Sequence, residues 1–325
     1  EQRLRAGEQT MLFINRRGVA GFVSCRACGH VIKCPHCDVS LSQHGSGAAT
    51  RLVCHYCGYT TIQPGLCPVC GSKYISGFKA GTQKIEQVVK ARFPQARVLR
   101  MDMDTTRTKD GYEQILSAFS NHEADILIGT QMIVKGHDFP GVTLVGVLAA
   151  DLSLYISDYR ASERTFQLLT QAAGRAGRGD IPGNVIIQTY DPDHYSITTA
   201  KEQNYEAFYG QEIEYRKMMR YPPVWNMLYI LCASKNEAAA SEAAVALMGK
   251  IDQIVRENSE KIFSIGPSDA PVAKISDVYR KVIYVKTREH QTLVILKDGL
   301  EAFIKDNRLY QNVAVGFDFN PVNGF

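Results

Sequence analysis

A chain of 325 residues with 45% apolar content exceeds one ordinary core and divides into two or three domains. No run reaches the roughly 18 apolar residues of a membrane span, and residues 1–7 (EQRLRAG) lack the apolar centre of a signal peptide; without an initiator Met the chain reads as a fragment. The formal charge of +4 suggests nucleic acid, but eight metal-bound thiolates (−8) and two zinc ions (+4) would bring it to about zero, so only local clusters speak for partners.

In chain order, residues 10–15 (TMLFIN) predict a short buried strand, followed by Asn15-Arg16-Arg17-Gly18. A cysteine-rich stretch occupies residues 23–77. Gly81-Thr82 then precedes a helix over 83–93, stopped by Pro94. Strands are expected at 96–101, 125–129, 142–149 and 184–189, with helices at 112–119 and 160–173. Such alternation predicts an α/β domain with a parallel sheet covered on both faces, into which the cysteine-rich module is inserted after the first strand. Residues 194–225 read as amphipathic helix ending at Tyr221-Pro222-Pro223, a plausible linker. Beyond it a small α+β pattern runs through strand 227–233, helix 238–257, strand 281–286, helix 292–305 and strand 312–319. The expected division is 1–22 with 78–195, the insertion 23–77, a helical linker 196–225 and a C-terminal DNA-binding domain 226–325.

Eight of nine cysteines form four Cys-x-x-Cys pairs: Cys25/Cys28, Cys34/Cys37, Cys54/Cys57 and Cys67/Cys70. Two intervening residues let both sulfurs reach one tetrahedral ion, and Gly29, Pro35, Gly58, Pro68 and Gly71 suit the tight turns. Two structural zinc ions are expected. Nested pairing joins Cys25, Cys28, Cys67 and Cys70 in one site and Cys34, Cys37, Cys54 and Cys57 in the other, with 38–53 folding back as a hairpin; sequential pairing is the alternative. Arg26, Lys33, Arg51 and Lys73, interleaved with Tyr56, Tyr59 and Tyr74, suit unpaired bases, although a ribbon used only for packing would carry the same residues. Cys232, in an apolar run, reads as a small buried hydrophobe.

Two further stretches carry chemistry. Residues 125–151 read DILIGTQMIVKGHDFPGVTLVGVLAAD, and residues 171–178 read QAAGRAGR. The first resembles motif V and the second motif VI of superfamily 2 helicases, and Gly81-Thr82-Gln83 stands where these proteins have a motif IV Gly-Thr-Glu. With four cysteine pairs inserted after Asn-Arg-Arg-Gly, the chain resembles the primosomal replication-restart DNA helicases, the PriA family. Gly266-Pro267, residues 270–275 (APVAKI) and Tyr279-Arg280 fit the same family's C-terminal domain.

The resemblance implies a second RecA-like helicase lobe, a two-zinc module and a C-terminal domain. In motif VI it makes Arg178 an arginine finger, Arg175 its companion and Gln171 a link to nucleotide; a continuing helix would set the two arginines at i and i+3 on one face. In motif V, Gly136 and Asp138 would face nucleotide. Thr130 could bind a DNA phosphate through its hydroxyl and N–H, and Lys135 could contact DNA or phosphate or simply be exposed. Arg16, Arg17, Lys274 and Arg280 are the remaining DNA candidates. Gln83 replaces the usual acid, which puts a polar role there in doubt, and Asp151 has no assignment beyond capping or lobe contact.

The implied activity is an ATP- and Mg²⁺-dependent 3′-to-5′ DNA helicase of replication restart, in the bacterial cytoplasm with the nucleoid. Its implied partners are forked and single-stranded DNA, single-stranded DNA-binding protein, and primosome and helicase-loader proteins; no membrane is involved. The sequence contains no Gly-x-x-x-x-Gly-Lys-Ser/Thr phosphate loop, so the chain alone is expected not to hydrolyse ATP, the first lobe lying upstream in the parent protein. The rival readings are a zinc-dependent fork-DNA binding module without catalysis, and another translocase working on RNA.

Overall fold

The computed structural model describes residues 1–14, 23–35, 40–44, 51–54, 57–77, 82–102, 105–106, 110–133, 138–154, 158–179, 181–257 and 261–322. The chain begins with α1 (Gln2–Arg5) and β1 (Gln9–Ile14), then the short strands β2 (Val23–Cys25), β3 (Ser42–His44), β4 (Arg51–Val53), β5 (Thr60–Ile62) and β6 (Ile75–Gly77). Next come α2 (Thr82–Arg92), β7 (Val98–Met101), α3 (Gly111–Ser120), β8 (Ile126–Gly129), β9 (Val142–Leu148), α4 (Asp151–Leu154), α5 (Ala161–Ala173) and β10 (Asn184–Ile187). The remainder is α6 (Tyr195–Lys201), α7 (Tyr205–Met218), β11 (Asn226–Ser234), α8 (Glu237–Glu257), β12 (Phe263–Ile275), β13 (Val278–Thr287), α9 (His290–Asp306) and β14 (Ala314–Phe319).

Five strands form a parallel sheet in the order β10-β9-β1-β8-β7. The near-continuous apolar sequence of the central strands β9, β1 and β8 follows from burial on both faces, whereas the edge strands β10 and β7 are partly exposed. Met11, Phe13, Leu127, Val145 and Val147 point to one face and meet Phe119 of α3 and Phe166, Leu169 and Ala172 of α5. The alternate residues Leu12, Ile126 and Ile128 meet Ile85 and Val89 of α2 on the other, as a side-chain period of two requires. Gly146 lets β9 approach β1: a β-carbon there would stand 2.8 Å from Leu12 Cδ2. At the opposite end of β1, the buried Gln9 amide donates to the Phe119 and Ala124 carbonyls at 2.7 and 2.9 Å.

The C-terminal sheet is antiparallel, ordered β12-β13-β11-β14. With α8 and α9 it makes a βαββαβ unit of ferredoxin-like order. Leu228, Ile230, Cys232, Ile283 and Val285 pack beneath Ala243, Leu247 and Ile251 of α8 and Leu293, Leu296 and Leu300 of α9. Burial pushes the Cys232 thiol up to about 12, an inert core position. Two compact units emerge: Glu1–Val31, Gly65–Ile156 and Arg160–Tyr209 form one, and Ile32–Pro64, Ser157–Tyr159 and Gly210–Phe325 the other. The cysteine-rich stretch is shared between them.

Candidate functional site

The cysteines gather as two clusters. Cys25, Cys28, Cys67 and Cys70 place their sulfurs within 4.8 Å of one another, and so do Cys34, Cys54 and Cys57. Cys37, the expected fourth member of the second cluster, lies outside the described residues. The grouping is the nested one.

Neighbouring sulfurs stand 3.6 Å (Cys25–Cys70), 3.7 Å (Cys28–Cys67) and 3.5 Å (Cys34–Cys57) apart. A disulfide would hold them at about 2.05 Å. Four sulfurs about 2.3 Å from one tetrahedral ion lie about 3.8 Å from each other, so the donor set fits zinc.

Three knuckles share one backbone pattern. The N–H of Gly29, Gly58 and Gly71 returns to the carbonyl of Cys25, Cys54 and Cys67 at 3.0, 2.9 and 2.9 Å. All three glycines have φ between 70° and 77°, the left-handed conformation that side chains rarely adopt. Around the second cluster, β3, β4 and β5 form an antiparallel ribbon, the fold-back expected for 38–53. Gly58 rests on Ser268 of β12, where a β-carbon would come within 3.3 Å of the Ser268 side chain.

Motif VI departs from its expected geometry. Helix α5 ends at Ala173, so Gln171 is exposed in its last turn while Arg175 and Arg178 lie beyond it, not at i and i+3 on a helix face. Gly174 caps the helix. Gly177, at φ 71°, donates to the Val142 carbonyl at 3.0 Å and packs on Gly183 so tightly that a β-carbon would overlap the Gly183 nitrogen. The glycines thus turn the chain back onto β9, and the arginines ride on that turn.

Arg178 donates through Nε to the Gly174 carbonyl at 2.7 Å and reaches Asp138 of motif V at 3.3 Å. Burial, and then the like charge of Arg178, lower the Arg175 pKa from its ordinary value. Two neighbouring cations, one of them paired with an exposed carboxylate, suit a polyanion such as a nucleotide's terminal phosphates.

Thr130 is buried at the end of β8, its carbonyl accepting from Ile133 N–H at 3.0 Å. Gly136, Lys135, Arg16 and Arg17 lie outside the described residues. The other DNA candidates sit on the β12–β13 hairpin with partners of their own. Lys274 pairs with Asp277 at 2.8 Å, which raises its pKa, and lies 4.8 Å from the Tyr279 ring centre. Arg280 donates to the Val272 carbonyl at 3.3 Å.

Sequence reasoning missed a cavity of about 610 Å³ in the second unit, lined by Lys217, Arg220, Trp225, Lys261, Phe263 and Arg288 among others. Arg220 lies 3.6 Å from the Phe263 ring centre, and Arg288 lies 5.4 Å from that of Trp225. Cations beside aromatic faces suit a flat anionic group. Its residues come from three separated stretches, 217–225, 261–263 and 287–289, and the lone Trp was the sole local signal.

The fold and clusters define a helicase C-terminal lobe interrupted by a zinc-type cysteine module. Family comparison agrees: residues 73–180 match the helicase conserved C-terminal domain, 34–61 the PriA DNA helicase Cys-rich region, and 217–322 the primosomal protein N C-terminal domain. Among curated proteins, the replication restart protein PriA of Bacillus subtilis is 46% identical over 99% of this chain and 39% of its own length. The PriA of a Synechocystis strain is 46% identical over 86% of this chain and 34% of its own length, and that of Chlamydia pneumoniae 40% identical over 91% and 40%. The chain belongs to the PriA family of replication restart proteins, matching the part that carries these three domains. It spans 34–40% of the length of those relatives.

Proposed function

We propose that this chain supplies the second motor lobe and DNA-engaging parts of an ATP-dependent 3′-to-5′ DNA helicase that restarts replication at stalled or branched forks. The observation that carries the reading is the motif V–motif VI contact, Arg178 on Asp138 at 3.3 Å, within a helicase-type parallel sheet. ATP with Mg²⁺, held mainly by a first lobe, would supply the energy of the cycle. Arg178 and Arg175 then stabilise charge on the transferring phosphate, Gln171 and Asp138 orient the arginines, and Thr130 holds a DNA phosphate.

The two cysteine clusters hold one zinc ion each and fix the shape of the module. Arg16, Arg17, Lys135, Lys274 and Arg280 add backbone contacts. We further propose domain limits of 1–22 with 78–195, 23–77, 196–225 and 226–325. Proposed partners are single-stranded DNA-binding protein, primosome and helicase-loader proteins, and the proposed location is the bacterial cytoplasm. No helix among the described residues is long and apolar enough to cross a membrane. The second reading, a fork-binding module with no turnover of its own, is favoured for the isolated chain by the absence of a phosphate loop from the sequence.

The test uses the complete protein on a forked duplex. Arg178→Ala should lower DNA-stimulated ATP hydrolysis and unwinding by about 10³-fold or more, the scale of an arginine finger, with little change in fork binding. Unchanged hydrolysis in the variant would reject the motor assignment of Arg178.

A further inference from the structure

The first cysteine cluster is seated on the far end of β9. Val31, which closes the Cys25–Cys28 knuckle by bridging to Ser24, is buried against Ile14 and Leu152. Gly29, the residue after Cys28, meets Tyr190 so closely that a β-carbon would overlap Tyr190 Cβ. Tyr190 is held from its other side by Asp151. Its N–H stands 3.1 Å from each carboxylate oxygen, and the Thr189 hydroxyl donates to Oδ1 at 2.8 Å. Asp151 itself is 7% exposed. It follows Ala149, a non-glycine residue at φ 50°, and Ala150, whose N–H donates to the Gln188 carbonyl at 2.9 Å. A buried carboxylate and a left-handed alanine are costly features, and the nucleotide and DNA readings use neither.

We infer that Asp151 is a positioning residue for the Cys25–Cys28–Cys67–Cys70 zinc site: its carboxylate fixes Tyr190 against Gly29 and so ties the end of the motif V strand to the knuckle that grips the metal. The inference rests on the reading of the clusters as zinc sites. A carboxylate accepts from Tyr190 N–H and Thr189 O–H together. In the Asp151→Asn variant the remaining oxygen can still accept from Thr189, but an NH₂ takes the place of Oδ2 and opposes the Tyr190 N–H, which stands 3.1 Å from that position. That substitution therefore loosens the 188–191 segment and removes the backing of the knuckle. The Cys34–Cys54–Cys57 cluster rests on the β3–β4–β5 ribbon and Ser268 instead, so the effect is confined to one site.

The test loads the protein with zinc, counts the ions, and follows their release into a chromophoric chelator. Asp151→Asn should speed the release of one equivalent by about tenfold and leave the other unchanged, the lower end of effects seen for residues supporting a metal site. Tyr190→Gly, which removes the side chain that Gly29 meets, should do the same without touching the carboxylate. Arg97→Ala, which breaks an ion pair elsewhere on the same sheet, should alter neither rate. Two bound zinc ions leaving Asp151→Asn at parental rates, or both leaving equally faster as general loss of stability would produce, overturns the inference alone. Fewer than two ions in the parent protein overturns the zinc reading and the inference with it.

Discussion

Arg175 and Arg178 bring two positive charges onto one glycine-bounded turn, where burial and mutual repulsion work against Arg175 and an incoming anion would relieve both. The planar guanidinium matters as much as the charge. Arg178→Lys keeps the charge but cannot offer Nε to Gly174 while reaching Asp138. In the complete protein it should still cost at least about tenfold in DNA-stimulated ATP turnover, measured at saturating ATP; parental turnover would reduce Arg178 to a bulk charge.

A second residue-scale prediction concerns Asp125, where motif V begins. The Arg97 guanidinium donates to its carboxylate and holds its pKa below the ordinary value, with the Arg97 backbone N–H helping and burial opposing. A depressed folded pKa contributes stability that is present above the unfolded carboxylate range and is lost as pH falls through the folded value. Arg97 is 57% exposed, so Arg97→Ala should lower stability to urea at pH 7 only slightly. The Asp125 carboxyl, followed by NMR titration, should move up in that variant. An unmoved titration would mean that the ion pair is not formed in solution.

At the scale of elements, three knuckles repeat one hydrogen-bonded turn, and the clusters they form are separable. Cys67→Ser should lower bound zinc from two ions to one, and Cys57→Ser should do the same at the other cluster, both read by metal analysis of dialysed protein. Loss of both ions from either single variant would show that the clusters fold as one. Cys-x-x-Cys spacing announced this module because metal geometry is local.

Other elements were hidden. Strand β12 carries Pro267 and Pro271, breakers that pattern reading assigns to loops; an edge strand tolerates them, and its register slips between Ile265 and Ser268 and again between Asp269 and Lys274. The helix ends at Ala173 as its sequence pattern indicates, but the helical placement of Arg175 and Arg178 at i and i+3 is not found, because the contacts of Gly177 with Gly183 and Val142 are tertiary and leave no trace in helical periodicity. Every strand of the parallel sheet, in contrast, was legible as an apolar run, and for the central β9, β1 and β8 burial on both faces leaves little choice of residue.

At the scale of the whole molecule, the helicase-type lobe, the cysteine module and the ferredoxin-like domain each follow from a different physical signal: hydrophobic runs, thiol spacing, and alternation with long amphipathic helices. The grouping of the first cluster with the parallel sheet and the second with the C-terminal fold was not legible, because it depends on the packing of Val31, Gly29 and Gly58 and not on spacing. Neither was the basic aromatic cavity, assembled from stretches distant in sequence.

Together these parts are proposed to serve a branched-DNA motor. The most direct test compares binding of the zinc-loaded protein to a three-way fork and to plain duplex of equal length by fluorescence anisotropy at one fixed salt concentration, since phosphate contacts make affinity steeply salt-dependent. Tighter binding to the fork is expected, with the preference reduced once a chelator has removed zinc. Equal affinity for fork and duplex, unchanged by zinc removal, would contradict the proposal.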